Sequence, residues 1–217
     1  MTTLVVTAVE AEADAFRAGL SGIDPELLTV AAVGVGPAAA AAGTARLLAL
    51  AEGRGSAYTR VVSVGIGGGF ADRTELGGLV VAARSIIADL GADAPDGFIP
   101  IDELGFGSAI TTADAALLAE LVAALPGAEI GDILTVSTVT GTAAGTAEVR
   151  RRWPDAVAEA MEGGGVAAAA AGAGIAFGEL RAISNAIGPR DRGSWRIGAA
   201  LSALTSAAAG WGHTVGR

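Results

Sequence analysis

The sequence predicts a three-layer α/β/α domain around a mostly parallel, mixed central sheet. Short apolar runs alternate with helical stretches from the first residues onward, the order of strand–helix–strand units. Of the 217 residues, 52% are hydrophobic and only 4% aromatic, so the apolar material is mainly Ala and Val, which let helices lie close on a sheet. No linker or internal repeat interrupts the pattern, so residues 1–217 are expected to form a single domain.

The elements follow in order. Leu4–Ala8 reads as a buried strand, Ala11–Leu20 as a helix and Leu27–Val33 as a second strand. Pro37 opens a helix to about Leu50, a favoured place for proline. Arg60–Ile66 is a third strand, running into the glycines of 65–69. Gly78–Ala83 is a fourth, and Ser85–Asp89 a short fifth. Gly91–Gly107, rich in Gly, Pro and Asp, reads as a long loop. Ala113–Ala124 is a helix stopped by Pro126-Gly127, and Asp132–Ser137 a strand followed by a polar turn, Thr138–Thr146. Ala156–Met161 fits strand or helix. Val166–Phe177 is a small-residue helix, Leu180–Ser184 a strand and Trp195–Trp211 a closing helix.

Composition excludes several functions. The net charge of −9 repels nucleic acid, and Arg150-Arg151-Arg152 reads as a solvated helix face. Without Cys and with one His, disulfides and ordinary zinc sites are out. The chain has no Lys, hence no Gly-Lys-Ser/Thr phosphate loop, and His213, in the expected tail, cannot build a Ser–His–Asp triad. The N-terminus has no basic region before an apolar segment, and the run from Gly163 to Phe177 is shorter than a bilayer. A cytoplasmic protein without membrane or nucleic-acid partners is expected.

Ligands of such sheets sit beyond the carboxyl ends of the strands. Glu10 and Glu12 follow the first strand, Gly34 and Gly36 the second, Gly65–Gly69 the third, Met161 and Glu162 the Ala156 segment, and Ser184, Asn185, Arg190, Asp191 and Arg192 the last. On a helix, Glu10 and Glu12 point in different directions, so only one faces a site; both also read as ordinary first-turn acids. Glu162, beside three glycines, fits an exposed turn equally well. Gly34-Val35-Gly36-Pro37-Ala38-Ala39 between strand and helix fits the dinucleotide fingerprint, although no acid ends the next strand to hold a ribose.

Four ordered segments resemble the purine nucleosidases related to nucleoside phosphorylases. They are Val6-Thr7-Ala8-Val9-Glu10-Ala11-Glu12, Val64-Gly65-Ile66-Gly67-Gly68-Gly69 with Glu75–Val81, Ala160-Met161-Glu162, and Arg181-Ala182-Ile183-Ser184-Asn185. The resemblance implies that Glu12 activates water, Glu162 holds ribose hydroxyls with Met161 against the sugar, and Gly67 lies in the substrate loop. It implies Thr140 and Thr142 along the purine edge and Ser184 supporting its neighbour. Relatives acting on methylthioadenosine carry Asp where this chain has Asn185. An amide donates to a 6-oxo group, which an ionised carboxylate cannot do. Asn185 therefore points to hypoxanthine rather than adenine. Gly188–Arg192 with Trp195, and Trp153-Pro154-Asp155, resemble the branch that hydrolyses futalosine in menaquinone biosynthesis.

That resemblance implies a small-molecule purine nucleoside as partner, a homo-oligomer and no cofactor. Glu10 and Glu12 repel phosphate, so water is the expected nucleophile. Because an amide has no proton to give, Asp191 is the expected acid. Arg73, Arg84, Arg190 and Arg192 are candidates for futalosine's benzoate, with Phe98 and Phe106 walling its pocket. The alternatives are an adenine-type nucleosidase, a dinucleotide-binding module on Gly34 and Gly36, and a sensor that binds without turnover.

Overall fold

The computed structural model describes residues 1–215, with side chains for all of these but 213 and 215. Its strands are β1 (Thr3–Thr7), β2 (Leu28–Ala32), β3 (Arg60–Gly69), β4 (Leu79–Ile87), β5 (Gly91–Ala94), β6 (Gly97–Pro100), β7 (Ile110–Thr112), β8 (Glu129–Thr135), β9 (Ala156–Ala160) and β10 (Ala176–Ala186). Its helices are α1 (Glu10–Ala18), α2 (Pro37–Gly53), α3 (Ile101–Leu104), α4 (Ala115–Ala124), α5 (Ala143–Arg152), α6 (Gly163–Ala173) and α7 (Ile197–Val215).

The fold is mixed α/β, and its sheet curls. β3 pairs in parallel with β1 and β10, β10 antiparallel with β4, and β4 in parallel with β8. β8 continues in parallel to β9, which returns antiparallel to β3 at Gly68 and Gly69. Five strands thus close a ring, with β2 beyond β1 and β7 on β4 as appendages. An open sheet between two helix layers describes this only in part. Register shifts in β10 between Ile183 and Asn185, in β4–β8 near Arg84 and in β8–β9 near Asp132 bend the strands. Such bulges raise local twist and curvature, and no residue pattern announced them.

Side chains alternate along β1, where Leu4 and Val6 join one apolar cluster and Val5 another. The first cluster joins Leu4, Val6 and Val61 to Ala40 of α2 and Val166 of α6. The second joins Val5, Val62 and Leu180 to Phe16 of α1, Leu117 of α4 and Leu204 and Trp211 of α7. Glycine sets the closeness of the small-residue helices: a Cβ on Gly165 of α6 would meet the Pro37 carbonyl oxygen of α2 at 2.1 Å.

Several expected boundaries move. Residues 91–107 are not one loop: a Pro95-Asp96 turn with Gly97 at φ 120° folds β5 onto β6, and α3 follows. Ser85 continues β4, and the polar turn ends at Thr142, where α5 begins. Val166–Phe177 is not one helix: α6 stops at Gly174 (φ 66°), and Phe177 lies in β10. His213 lies within α7 rather than a tail, its side chain outside the described residues.

Candidate active site

Beside the ring lies a cavity of about 320 Å³ lined by Glu12, Gly67, Thr140, Met161, Glu162, Ser184, Asn185, Arg190 and Asp191. Gly67 and Gly68 of β3 line the cavity, and the glycines of this strand have neighbours where their Cβ atoms would stand. A Cβ on Gly65 would lie 2.5 Å from Arg181 Nη1 and 2.8 Å from Glu12 Oε1. One on Gly67 would lie 2.9 Å from the Glu159 carbonyl, and one on Gly68 3.2 Å from Asn185 Nδ2. From Gly65 to Gly68 the strand advances roughly 10 Å. Glu12 and Asn185 thus stand toward opposite ends of one cavity.

Helical phase chooses between the two early acids. The Glu10 side chain is 69% exposed and pairs with Arg17. Glu12 is buried; Oε2 accepts from the amides of Ala8 (3.0 Å) and Val9 (3.3 Å), and Oε1 from Ile66 (2.9 Å). Glu162 stands buried at the N-cap position of α6 rather than in an exposed turn, and its side chain turns away from the helix amides. Its Oε1 accepts from Gly36 N at 3.2 Å, and its Oε2 from Met161 N and Arg181 Nη1, both at 3.3 Å. These bonds fix both carboxylates before any ligand arrives.

At the far end, Ser184 Oγ lies 2.8 Å from Asn185 Oδ1, and Asn185 Nδ2 donates to the Ala186 carbonyl at 3.1 Å. That carbonyl needs a donor, so the amide nitrogen points to it and the amide oxygen to Ser184. One amide hydrogen of Asn185 has no partner among the described residues.

Three buried charged residues complete the surroundings. Arg181 is fully buried, donating from Nε to Glu179 Oε1 (3.0 Å) and from Nη2 to Ser63 Oγ (2.8 Å) as well as to Glu162. Glu179 is fully buried too, and its Oε2 makes no well-formed hydrogen bond among the described residues. Glu159 lines the cavity and accepts from Thr140 N (2.8 Å) and Oγ1 (2.5 Å), which shapes the loop over the site. Burial pushes both carboxyls above the ordinary value, and Arg181 opposes that push on Glu179. The reading from sequence assigned these three no role. Their signal was an ionisable residue inside an apolar strand, as in Ala156-Val157-Ala158-Glu159-Ala160, where burial demands a partner.

The chain also matches known proteins. The family model of the Phosphorylase superfamily matches residues 13–209. The chain is 50% identical over 220 residues to futalosine hydrolase of Streptomyces coelicolor, covering 95% of this chain and 93% of that one. This chain belongs to the phosphorylase superfamily, in its futalosine hydrolase family. It is also 46% identical to futalosine hydrolase of Acidothermus cellulolyticus, over 96% of this chain and 89% of that one. Among solved structures it resembles the native futalosine hydrolase of Helicobacter pylori, with TM-score 0.79, 18% identity, and 99% and 97% of the two chains covered. Similar in fold is the 5'-methylthioadenosine/S-adenosylhomocysteine nucleosidase of Neisseria meningitidis, with TM-score 0.80, 20% identity, and 97% of each chain covered.

Several expected contacts of this phosphorylase superfamily member fall elsewhere. Thr142 is exposed and outside the cavity lining; its hydroxyl caps α5 by accepting from Gly145 N at 3.0 Å. Arg84 is held by buried Asp132 (2.8 Å), and Arg73 donates to the Pro154 carbonyl (2.9 Å). Phe98 lies under Arg152, and Phe106 is 82% exposed. None of these four lines the cavity. Of the candidate arginines, Arg190 alone lines it. Its guanidinium lies 5.6 Å from the Trp195 ring centre, and Arg192 sits 5.8 Å from the same ring. The dinucleotide reading fails because its donors are spent: Gly34 N on the Ala8 carbonyl and Gly36 N on Glu162. Among the described residues no His, Asp and Glu cluster suits a metal, and no helix is long and apolar enough to cross a membrane.

Proposed function

We infer that this chain hydrolyses the N-ribosidic bond of futalosine, releasing hypoxanthine and dehypoxanthinylfutalosine for menaquinone biosynthesis. The observation that carries the reading is one cavity lined at one end by Glu12 and at the other by Asn185, in a chain half identical to a futalosine hydrolase.

Glu12 takes a proton from water as its oxygen attacks C1′, and the C1′–N9 bond breaks with its electron pair leaving on the base. Glu162 accepts from the ribose hydroxyls, and these bonds strengthen as positive charge grows on the sugar. Met161 packs on the sugar. Asn185 donates its free amide hydrogen to N7 or O6. Arg190 packs against Gly141, where a Cβ would lie 3.2 Å from its Cγ, next to the Thr140 loop at the purine edge. That supports a role at O6 of the departing anion rather than at the 5′ tail. Asp191 lines the cavity, but its Oδ1 accepts from Gly193 N at 3.0 Å as the cap of a short 3-10 turn. The base is therefore assigned to Asn185 and Arg190, and its proton to solvent.

Water rather than phosphate fits the sugar end. The one cation there, Arg181, is engaged by Glu179, Glu162 and Ser63 among the described residues. The family resemblance also supports a cytoplasmic homo-oligomer, which gel filtration measures for the assembly. The test of the reading is hypoxanthine release from futalosine with and without phosphate. Phosphate-independent release is expected; adenine release from methylthioadenosine in its place, or a phosphate requirement, overturns it.

A further inference from the structure

Arg181 poses an electrostatic problem for the reaction, and the solution lies on its far side. The guanidinium is fully buried and keeps its charge, since arginine does not deprotonate in proteins. Its Nη1 reaches Glu162 at 3.3 Å and faces Gly65, whose missing Cβ would also meet Glu12 Oε1. A fixed positive charge thus sits behind the two carboxylates that flank the sugar. The transition state makes the sugar positive, so an unopposed Arg181 disfavours it by direct Coulomb repulsion, felt strongly where water is excluded.

Glu179 sits behind Arg181 on the same strand, with Oε1 3.0 Å from Nε. The chain gives up packing to admit it: a Cβ on Gly163, the residue after Glu162, would fall 2.2 Å from both Glu179 carboxylate oxygens. One of those oxygens makes no well-formed hydrogen bond among the described residues, the buried Ser85 hydroxyl being its neutral neighbour, an arrangement that stability alone disfavours. We propose that Glu179 is a positioning residue for catalysis, holding Arg181 by Nε and offsetting its charge so that Glu12 and Glu162 set the potential at the sugar. The inference rests on the nucleoside hydrolysis proposed above. The charged groups around Glu179 are Arg181 on β10, Glu162 at the start of α6 and, beyond the guanidinium, Glu12 of α1.

Glu179→Gln keeps an acceptor for Arg181 Nε and removes the charge. In the full chain, kcat for hypoxanthine release is expected to fall at least about tenfold with KM within about threefold, the pattern of an interaction felt in the transition state. Glu179→Asp, which retains the charge, should recover activity over the Gln variant. A Gln variant with kcat within about twofold of wild type, or one whose loss lies in KM rather than kcat, overturns the proposal. So does an Asp variant no more active than Gln. Melting temperatures read alongside separate these results from a folding defect. Should the wild type cleave another purine nucleoside instead of futalosine, the substrate reading fails, and the same ratios on that nucleoside still judge Glu179.

Discussion

Ser184 and Asn185 are joined by a hydrogen bond of 2.8 Å that turns the Asn185 carboxamide so that its nitrogen faces away from the serine. A carboxylate at 185 would present an acceptor there, suited to an amino group and wrong for an oxo group. Asn185→Asp is expected to lower kcat/KM for futalosine by ~100-fold at neutral pH, the scale of one polar group left without its partner. Hypoxanthine and adenine release, measured side by side on oxo and amino substrates, reads the change. An Asp variant that keeps its full rate on futalosine removes the amide from substrate selection.

In the proposed reaction Arg190, which lines the cavity, is the cation at the departing base. Arg190→Met preserves bulk against Gly141 and Trp195 while removing the charge. A kcat loss of about 10²-fold, the scale of one lost oxyanion donor, is expected on futalosine and inosine alike. If KM for futalosine alone rises and inosine is unaffected, the guanidinium meets the substrate's tail instead.

Glu12 is the one acid fixed by three backbone amides at the sugar end. Glu12→Gln is expected to cut kcat by about 10²–10⁴-fold, the usual worth of a general base, with substrate still bound. Equilibrium binding of futalosine to the variant checks the second half. Turnover near wild type ends the assignment.

Two glycines of α6 should respond in opposite directions. Gly163→Ala drives a methyl group into the buried Glu179 carboxylate and is expected to cost about 1–3 kcal/mol. Gly172→Ala meets no atom within 4 Å, so it should gain about 0.5–1 kcal/mol from helix propensity. Chemical denaturation measures both, and equal effects would remove the steric account of Gly163.

Burial holds the Glu159 proton more tightly in the folded chain than in the unfolded one, despite the opposing bonds from Thr140. A carboxyl with a raised folded value costs stability as pH climbs from the ordinary carboxylate range through that value. Glu159→Gln removes the cost. Its melting temperature relative to wild type should therefore improve as pH rises above the ordinary carboxylate range. A difference that stays flat over that rise refutes the burial argument.

Much of this was legible in the sequence, for identifiable reasons. Alternation placed β1, and Pro37 and Pro126 bounded helices correctly. The Gly65–Gly69 run announced a backbone that side chains must approach. The motif already pointed to Glu12 over Glu10, and the phase of α1, with Val9 as N-cap, shows why Glu10 turns to solvent. Thr142 misled because threonine caps helices as readily as it lines pockets. Ring closure stayed hidden because a bulge leaves no periodic mark, and Glu179 because its partner Arg181 read only as part of a motif.

The pairing of β3 also bears on how product escapes. Its residues 60–69 are bonded to β10 along their length, to β1 at one end and to β9 at the other. A floor tied on both flanks does not sink to free a spent ring. The stretch from Gly188 to Trp195 borders the cavity with no strand partner, held chiefly by its own 3-10 turn. With the floor tied on both flanks, the wall of the cavity least restrained by strand pairing is this stretch.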